Sequence, residues 1–307
     1  MIGIEAIGTY IPEQRIDNLE RMDVFGVDED FLTSKTGMLS LSVKGEAEET
    51  SDLCCKAFDD LKAKVNFSED DIECIVVVTQ NPDGNGLPHT SAIVHGKIGL
   101  ASSCAAFDIS LGCSGFVYGL SIIQSFMQAN GFKKGILFTA DPYSKILDQN
   151  DKNTSLLFGD AATAILISDT PVWKTGKFLF GTQGKEAKNI QVSNSSDKLE
   201  MNGRAVFSFS ATVVPKNILN MLQINRLNIE NIDLFVLHQG SRFIVDTLRK
   251  KLGLKAEKVP FQASLYGNTL SSSIPMILQD ASSDARTIVI AGFGVGLSWA
   301  STVLYRV

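Results

Sequence analysis

Ile75-Val-Val-Val-Thr79 is an unbroken β-branched run. No polar residue alternates within its first four positions, so a strand built from it must be covered on both faces. A sheet of such strands needs helices above and below it. Comparable runs recur at Gly135–Ala140, Ile232–Leu237 and Thr287–Ala291, with helix-like patterns between them. The run order therefore predicts an α/β chain with a mainly parallel sheet.

The remaining elements follow from the same patterns. Strands are expected at Ile2–Gly8, Phe107–Ser110, Ala161–Ile167, Phe178–Gly181 and Ser298–Tyr305. Helices are expected from Leu53 to about Val65, capped by Ser51-Asp52, and at Thr90–Ile98, Val206–Ile224, Arg242–Leu252 and Ser271–Asp280. Lys185 to Lys198 reads as a soft polar stretch. The β/α order repeats with little sequence identity, so residues 1–170 and 171–307 are expected to be two duplicated halves, with the boundary near Ser168 to Lys174. A chain of 307 residues suits two such units.

Charge and cysteine usage exclude several function classes. The net charge of −6 offers no basic surface for nucleic acid. No apolar stretch reaches the length of a membrane span, and the first residues lack a basic leader. The five cysteines, Cys54, Cys55, Cys74, Cys104 and Cys113, match no zinc or disulfide spacing. A reducing, cytoplasmic setting and no metal are the expectations.

Chemistry concentrates around Asp108-Ile-Ser-Leu-Gly-Cys113-Ser-Gly-Phe. A short strand runs into Cys113, and an apolar helix pattern follows through Met127. A thiol at a helix mouth is expected to be biased toward thiolate. His238 ends a buried strand, Gly267-Asn268-Thr269 is a polar turn, and Gly292-Phe-Gly-Val-Gly296 is a glycine-rich turn after a strand. Strand C-termini gather ligands in open α/β sheets. Cys, His and Asn on separate loops suit acyl transfer followed by carbon–carbon bond formation. Each also has an ordinary reading: a hydrogen-bonded structural histidine, a common Gly-Asn turn, a tight glycine turn. Phe158-Gly-Asp160 can equally be a turn packed beside the site.

Taken together, the residues resemble the β-ketoacyl-acyl-carrier-protein synthase III enzymes of the thiolase-like superfamily. The resemblance runs nearly end to end. It is carried by Ile7-Gly8-Thr9-Tyr10-Ile11-Pro12, Lys35-Thr36-Gly37, the Cys113 stretch, Phe158-Gly-Asp-Ala, Met201-Asn-Gly-Arg-Ala-Val-Phe207, His238-Gln239, Gly267-Asn268-Thr269 and Phe293-Gly-Val-Gly-Leu-Ser-Trp299. It implies a five-layered α-β-α-β-α fold, assembled as a homodimer. Cys113 would be acylated from a thioester. His238 and Asn268 would promote decarboxylation of a malonyl-acyl-carrier protein, and the Cys113 and Val295 amides would form the oxyanion hole. Coenzyme A or acyl-carrier-protein thioesters would be substrates, and no resident cofactor is implied.

Counts within the chain separate relatives. No cysteine follows Cys113, whereas degradative thiolases need a late one, and the second half holds only His238, whereas elongating synthases use two histidines. Departures from the family pattern bear on substrate. The tryptophan and arginines that clamp coenzyme A match Phe31, Lys35 and Lys152, which keep positive charge but lose the bidentate grip. After His238-Gln239 the chain reads Gly240-Ser-Arg242-Phe243, displacing the basic residue that meets carrier protein and leaving Arg242, Lys250 and Lys251 as candidate contacts. A family lysine is replaced by Ser208, the polar stretch from Lys185 is short, and Val295 stands where the family has glycine. Leu87 matches a region that in the family lines the acyl pocket, across the dimer, and equally reads as an ordinary apolar residue before a helix start. These changes keep two other readings open: acyl transfer to a hydroxyl or amine without decarboxylation, and a non-catalytic partner subunit.

Overall fold

The computed structural model describes residues 2–307. The strands are β1 (Gly3–Tyr10), β2 (Arg15–Asp17), β3 (Ser40–Ser42), β4 (Cys74–Val78), β5 (Ala105–Ile109), β6 (Lys134–Ala140), β7 (Ala162–Ser168), β8 (Trp173–Thr175), β9 (Leu179–Thr182), β10 (Ile190–Val192), β11 (Leu199–Met201), β12 (Leu234–Leu237), β13 (Thr287–Gly294) and β14 (Ser298–Arg306). The helices are α1 (Met22–Phe25), α2 (Thr50–Lys64), α3 (Thr90–Ile98), α4 (Gly115–Asn130), α5 (Lys152–Ser155), α6 (Gly203–Ile224), α7 (Arg242–Lys251) and α8 (Ser273–Gln279).

Side-chain alternation along the strands shows the layers. In β4, Ile75 and Val77 join an apolar cluster under α2, while Cys74, Val76 and Val78 join a second cluster around α4. In β13, Ile288 and Ile290 belong to that same second cluster, while Val289, Ala291 and Phe293 face a third, beneath α6 and α7. Helices α4 and α8 thus lie between two sheet regions, with α2 and α3 outside one and α6 and α7 outside the other. This is the five-layered α-β-α-β-α arrangement. Each fully buried Val, Ile or Leu in these layers contributes about 1.5–3 kcal/mol of transfer free energy. Among the described residues no helix is long and apolar enough to cross a membrane.

The sheet is mixed, not mainly parallel as expected. Its order is β12-β13-β14-β8-β1-β7-β6-β4-β5, with β9 also on β14. Parallel pairing joins β4 to β5, β4 to β6 and β12 to β13. The pairs β1–β7, β6–β7 and β13–β14 are antiparallel. The reason is local for β13 and β14: only three residues separate them, too few for a crossover. β8, at the expected boundary, pairs with both β1 and β14 and makes the hydrogen-bonded path continuous.

Two smaller differences concern element ends. Helix α2 begins at Thr50, three residues before the expected start, and Asp52 reaches back to accept the Glu49 N–H at 2.9 Å. The stretch from Lys185 is more ordered than its polarity suggested. It holds a 3-10 turn (Gly184–Asn189) and β10, which pairs with β11.

Candidate active site

Cys113 lies just before the Ser114 N-cap of α4. The end of β13 passes directly against it. A Cβ at Gly294 would fall 2.6 Å from the Cys113 Sγ, so only glycine lets the strand approach. This approach brings the Val295 N–H, together with the N–H of Cys113 itself, onto the sulfur. The two amides named from sequence therefore converge on one atom. His238 follows β12, and its N–H bonds to the Ala291 carbonyl at 2.9 Å, continuing the ladder with β13. Asn268 is anchored on both sides by the Phe158 segment. Its N–H donates to the Leu157 carbonyl at 2.8 Å, and its carbonyl accepts the Gly159 N–H at 3.1 Å. The Phe158-Gly-Asp160 turn is thus the strut that holds the asparagine. A Cβ at Gly159 would meet the Tyr266 carbonyl at 1.8 Å, which explains the glycine there.

Cys113, His238 and Asn268 line one cavity of about 220 Å³. They are 6 %, 3 % and 3 % exposed. The Asn268 Oδ1 accepts the Leu270 N–H at 3.0 Å, which leaves its amide NH2 as the end free to donate. The His238 Nδ1 lies 2.9 Å from the Ser273 Oγ, which is also 2.8 Å from the Leu270 carbonyl. The single Ser273 proton decides the tautomer. Given to Nδ1, it leaves a proton on Nε2 to donate; given to Leu270, it leaves Nε2 as a base.

Burial sets the protonation states. Loss of water pushes the Cys113 thiol up to about 12, against the opposing pull of the Val295 and Cys113 amides. The expected thiolate bias at the helix mouth is therefore overridden: desolvation outweighs the local N–H groups, and the resting sulfur is a thiol. Burial lowers His238 to about 4, with the Leu270 backbone opposing, so the imidazole is neutral at pH 7. A neutral base lining the same cavity as a protonated thiol can take its proton during attack.

Two of the expected cations, Lys35 and Lys152, line the cavity. Phe31, Lys35 and Thr36 come from a π-helical turn (Phe31–Thr36), and Lys152 opens α5; all four line the cavity. The Lys152 Nζ sits 5.4 Å from the Phe31 ring centre, and the Lys35 Nζ 4.5 Å from that of Phe243. Arg242 is not among the lining residues; its guanidinium lies over Phe261 and donates to the Ser264 Oγ at 3.3 Å. Lys250 and Lys251 are exposed at the far end of α7. Leu87 stands 93 % exposed on the loop before α3 and does not line the cavity of this chain.

Several lining residues carried no assignment from sequence. Gly203, Val206, Phe207 and Ser210 form one face of α6, at the i, i+3, i+4, i+7 spacing that could have revealed them. Phe243 stacks on Phe207 with centroids 4.9 Å apart. Ile190 comes from β10, inside the stretch read as polar.

Residues 107–184 match the 3-oxoacyl-[acyl-carrier-protein (ACP)] synthase III family, and residues 222–306 match its C-terminal part. The chain is 32 % identical to a β-ketoacyl-[acyl-carrier-protein] synthase III of Lactococcus lactis, over 98 % of each chain. The crystal structure of a β-ketoacyl-[acyl carrier protein] synthase III from Thermus thermophilus superposes with a TM-score of 0.91 at 32 % identity, covering 99 % of this chain and 98 % of that one. A 3-oxoacyl-(acyl-carrier protein) synthase from Burkholderia xenovorans superposes at 0.90 with 30 % identity, covering 99 % and 94 %.

Proposed function

This chain belongs to the β-ketoacyl-acyl-carrier-protein synthase III family of condensing acyltransferases, and we propose that Cys113 carries the acyl group while His238 and Asn268 act on the malonyl thioester. The observation that carries this reading is the gathering of all three side chains in one buried cavity that Lys35 and Lys152 also line.

The Cys113 sulfur attacks the carbonyl carbon of the donor thioester. Its proton passes to His238, and the oxyanion is held by the Cys113 and Val295 amides. The donor's carbon–sulfur bond breaks, and its thiol leaves with the proton, so His238 is again neutral. A malonyl thioester then enters. Loss of carbon dioxide leaves an enolate, whose oxygen accepts from the Asn268 amide and from His238 with its proton on Nε2. The enolate carbon attacks the acyl-Cys113 carbonyl, the sulfur leaves, and a proton from solvent restores the thiol. Thioester exchange and decarboxylation supply the driving force, so no resident metal or cofactor is required.

The lysines suit the phosphates of a coenzyme A or carrier-protein thioester, and their single-point grip favours the carrier-bound form. Lys250, Lys251 and Arg242 are the candidate contacts for the carrier protein. The chain acts in the cytoplasm as a homodimer of duplicated halves, 1–170 and 171–307. The free edge of β5 supports the dimer, because β5 ends the sheet order. Leu87 would complete the partner's acyl pocket.

Intact-mass measurement after incubation with acyl thioesters tests the reading. A covalent adduct should form and be absent in Cys113→Ala. Carbon dioxide release from malonyl-carrier protein should fall by about 10²-fold or more in Asn268→Ala. No adduct with any donor would overturn the assignment of Cys113. Acyl transfer to a hydroxyl or amine without carbon dioxide release would overturn the malonyl acceptor.

A further inference from the structure

Two buried hydroxyls beside Cys113 have no part in the cycle above. Ser114 and Ser298 are 1 % and 4 % exposed, and their Oγ atoms lie 2.7 Å apart. The Ser298 hydroxyl also lies 2.9 Å from the Val295 carbonyl. A carbonyl can only accept, so Ser298 gives its proton to Val295, and Ser114 must then donate to Ser298. The result is a chain of two hydrogen bonds, Ser114 to Ser298 to Val295. One end is the residue after Cys113, at the mouth of α4. The other end is the residue whose N–H meets the Cys113 sulfur.

We infer that Ser114 and Ser298 are positioning residues that latch the two oxyanion-hole amides to each other. The inference rests on the proposed roles of Cys113 and Val295. The two amides belong to different elements, a helix start and the turn between β13 and β14. Their spacing must hold to a fraction of an ångström for both to meet one oxyanion. Val295 adds a branched side chain to that turn, and glycine at position 112 leaves room for it, since a Cβ there would lie 3.0 Å from the Val295 Cγ1. No side chain at position 112 holds the turn, so the hydroxyl chain is what ties it to the cysteine loop. The Ser114–Ser298 bond is buried and the Ser298–Val295 bond part-buried, so losing the Ser114–Ser298 link leaves a buried hydroxyl without its partner.

The test separates the two carbonyl sites of the cycle. The latch serves the acyl carbonyl at Cys113, whereas His238 and Asn268 serve the malonyl carbonyl. Single-turnover acylation by acyl-coenzyme A thioesters of graded chain length, read by thiol release and intact mass, should slow about tenfold or more in Ser298→Ala and Ser114→Ala. Ser298→Thr, which keeps the hydroxyl, should recover most of the rate. The double alanine variant should be no slower than Ser298→Ala, because both act through one chain. Decarboxylation of malonyl-coenzyme A, measured in the Cys113→Ala background, should be the same with and without the added Ser298→Ala substitution. Wild-type acylation rates in both single alanine variants would overturn the latch. So would an equal fall in acylation and decarboxylation, which marks general damage to the cavity. A wild-type protein that forms no adduct with either coenzyme A or carrier-protein thioesters would overturn the reading of Cys113, and the latch with it.

Discussion

Cys113 and His238 owe their protonation states to the dryness of the corner they share. An ordinary imidazole would lose its proton near 6.5, but burial holds His238 at about 4. The base is therefore available across the physiological range and is lost only in acid. The single-turnover acylation rate should stay level from pH 5 to 8 and fall below about pH 4, with no inflection near 6.5. A midpoint near 6.5 in a stopped-flow pH series would show that His238 is solvated in the working enzyme. The thiol, pushed up to about 12, should contribute no thiolate limb in that interval. Sequence made the three candidate residues that share the cavity legible because each sits at a turn or element end marked by small residues. It misjudged the state of the sulfur. A helix mouth can be read from a string, but the burial of Cys113 comes from segments distant along the chain, with Gly294 against its sulfur and Phe158 in the same apolar cluster.

Elements hold these residues through buried polar struts, and Asp141 is the most informative of them. It follows β6 and is 1 % exposed. It accepts the Gln80 N–H at 2.6 Å, beyond β4, and the Ser271 hydroxyl at 3.0 Å, just before α8. It thereby ties the end of one strand to the helix that carries Ser273, the partner of His238. Burial raises its carboxyl to about 7, against the pull of those hydrogen bonds. The native value lies above the ordinary one of about 3.9. Its contribution is therefore fully present below pH 4 and is lost as pH rises through 7. Asp141→Asn keeps the acceptor for Gln80 and faces its NH2 to Ser271, whose hydroxyl can turn to accept. Relative to wild type, Asp141→Asn should gain stability as pH rises from 4 to 7, on the order of 1 kcal/mol or more. Urea unfolding at pH 5 and pH 8 measures it, and a pH-independent difference would contradict the buried, protonated acid. Such struts were hidden in the sequence because Asp141, Ser271 and Gln80 are far apart along the chain. The strands and helices were readable, since their periodicity is local. The mixed pairing was not, because strand direction depends on which elements meet.

At the scale of the whole molecule, the feature that asks for a partner is the uncovered edge of β5. The Ala105 N–H bonds to the Glu73 carbonyl, and the Ile109 carbonyl accepts the Thr79 N–H, so the odd-numbered residues turn their backbone groups toward the β4 side. Backbone groups alternate sides along a strand. Those of Ala106 and Asp108 therefore point to the free edge, where unpaired donors and acceptors are a template for another strand. The Asp108 side chain binds the Thr90 and Ser91 N–H groups at 2.7 and 2.8 Å, which fixes the start of α3 beside this edge. Leu87 is three residues before that start, exposed and without a role in its own chain. A second copy pairing along β5 would cover the edge and give Leu87 an apolar destination. Wild-type protein should then run by light scattering at twice the 33.3 kDa of one chain. Ala106→Pro removes only an outward N–H and leaves the ladder with β4 intact, so it should shift the mass toward one chain while far-ultraviolet circular dichroism stays unchanged. If Leu87 closes the partner's acyl pocket, the same variant should also accept longer acyl donors on Cys113. A dimer that survives Ala106→Pro with unchanged chain-length preference would place the interface elsewhere.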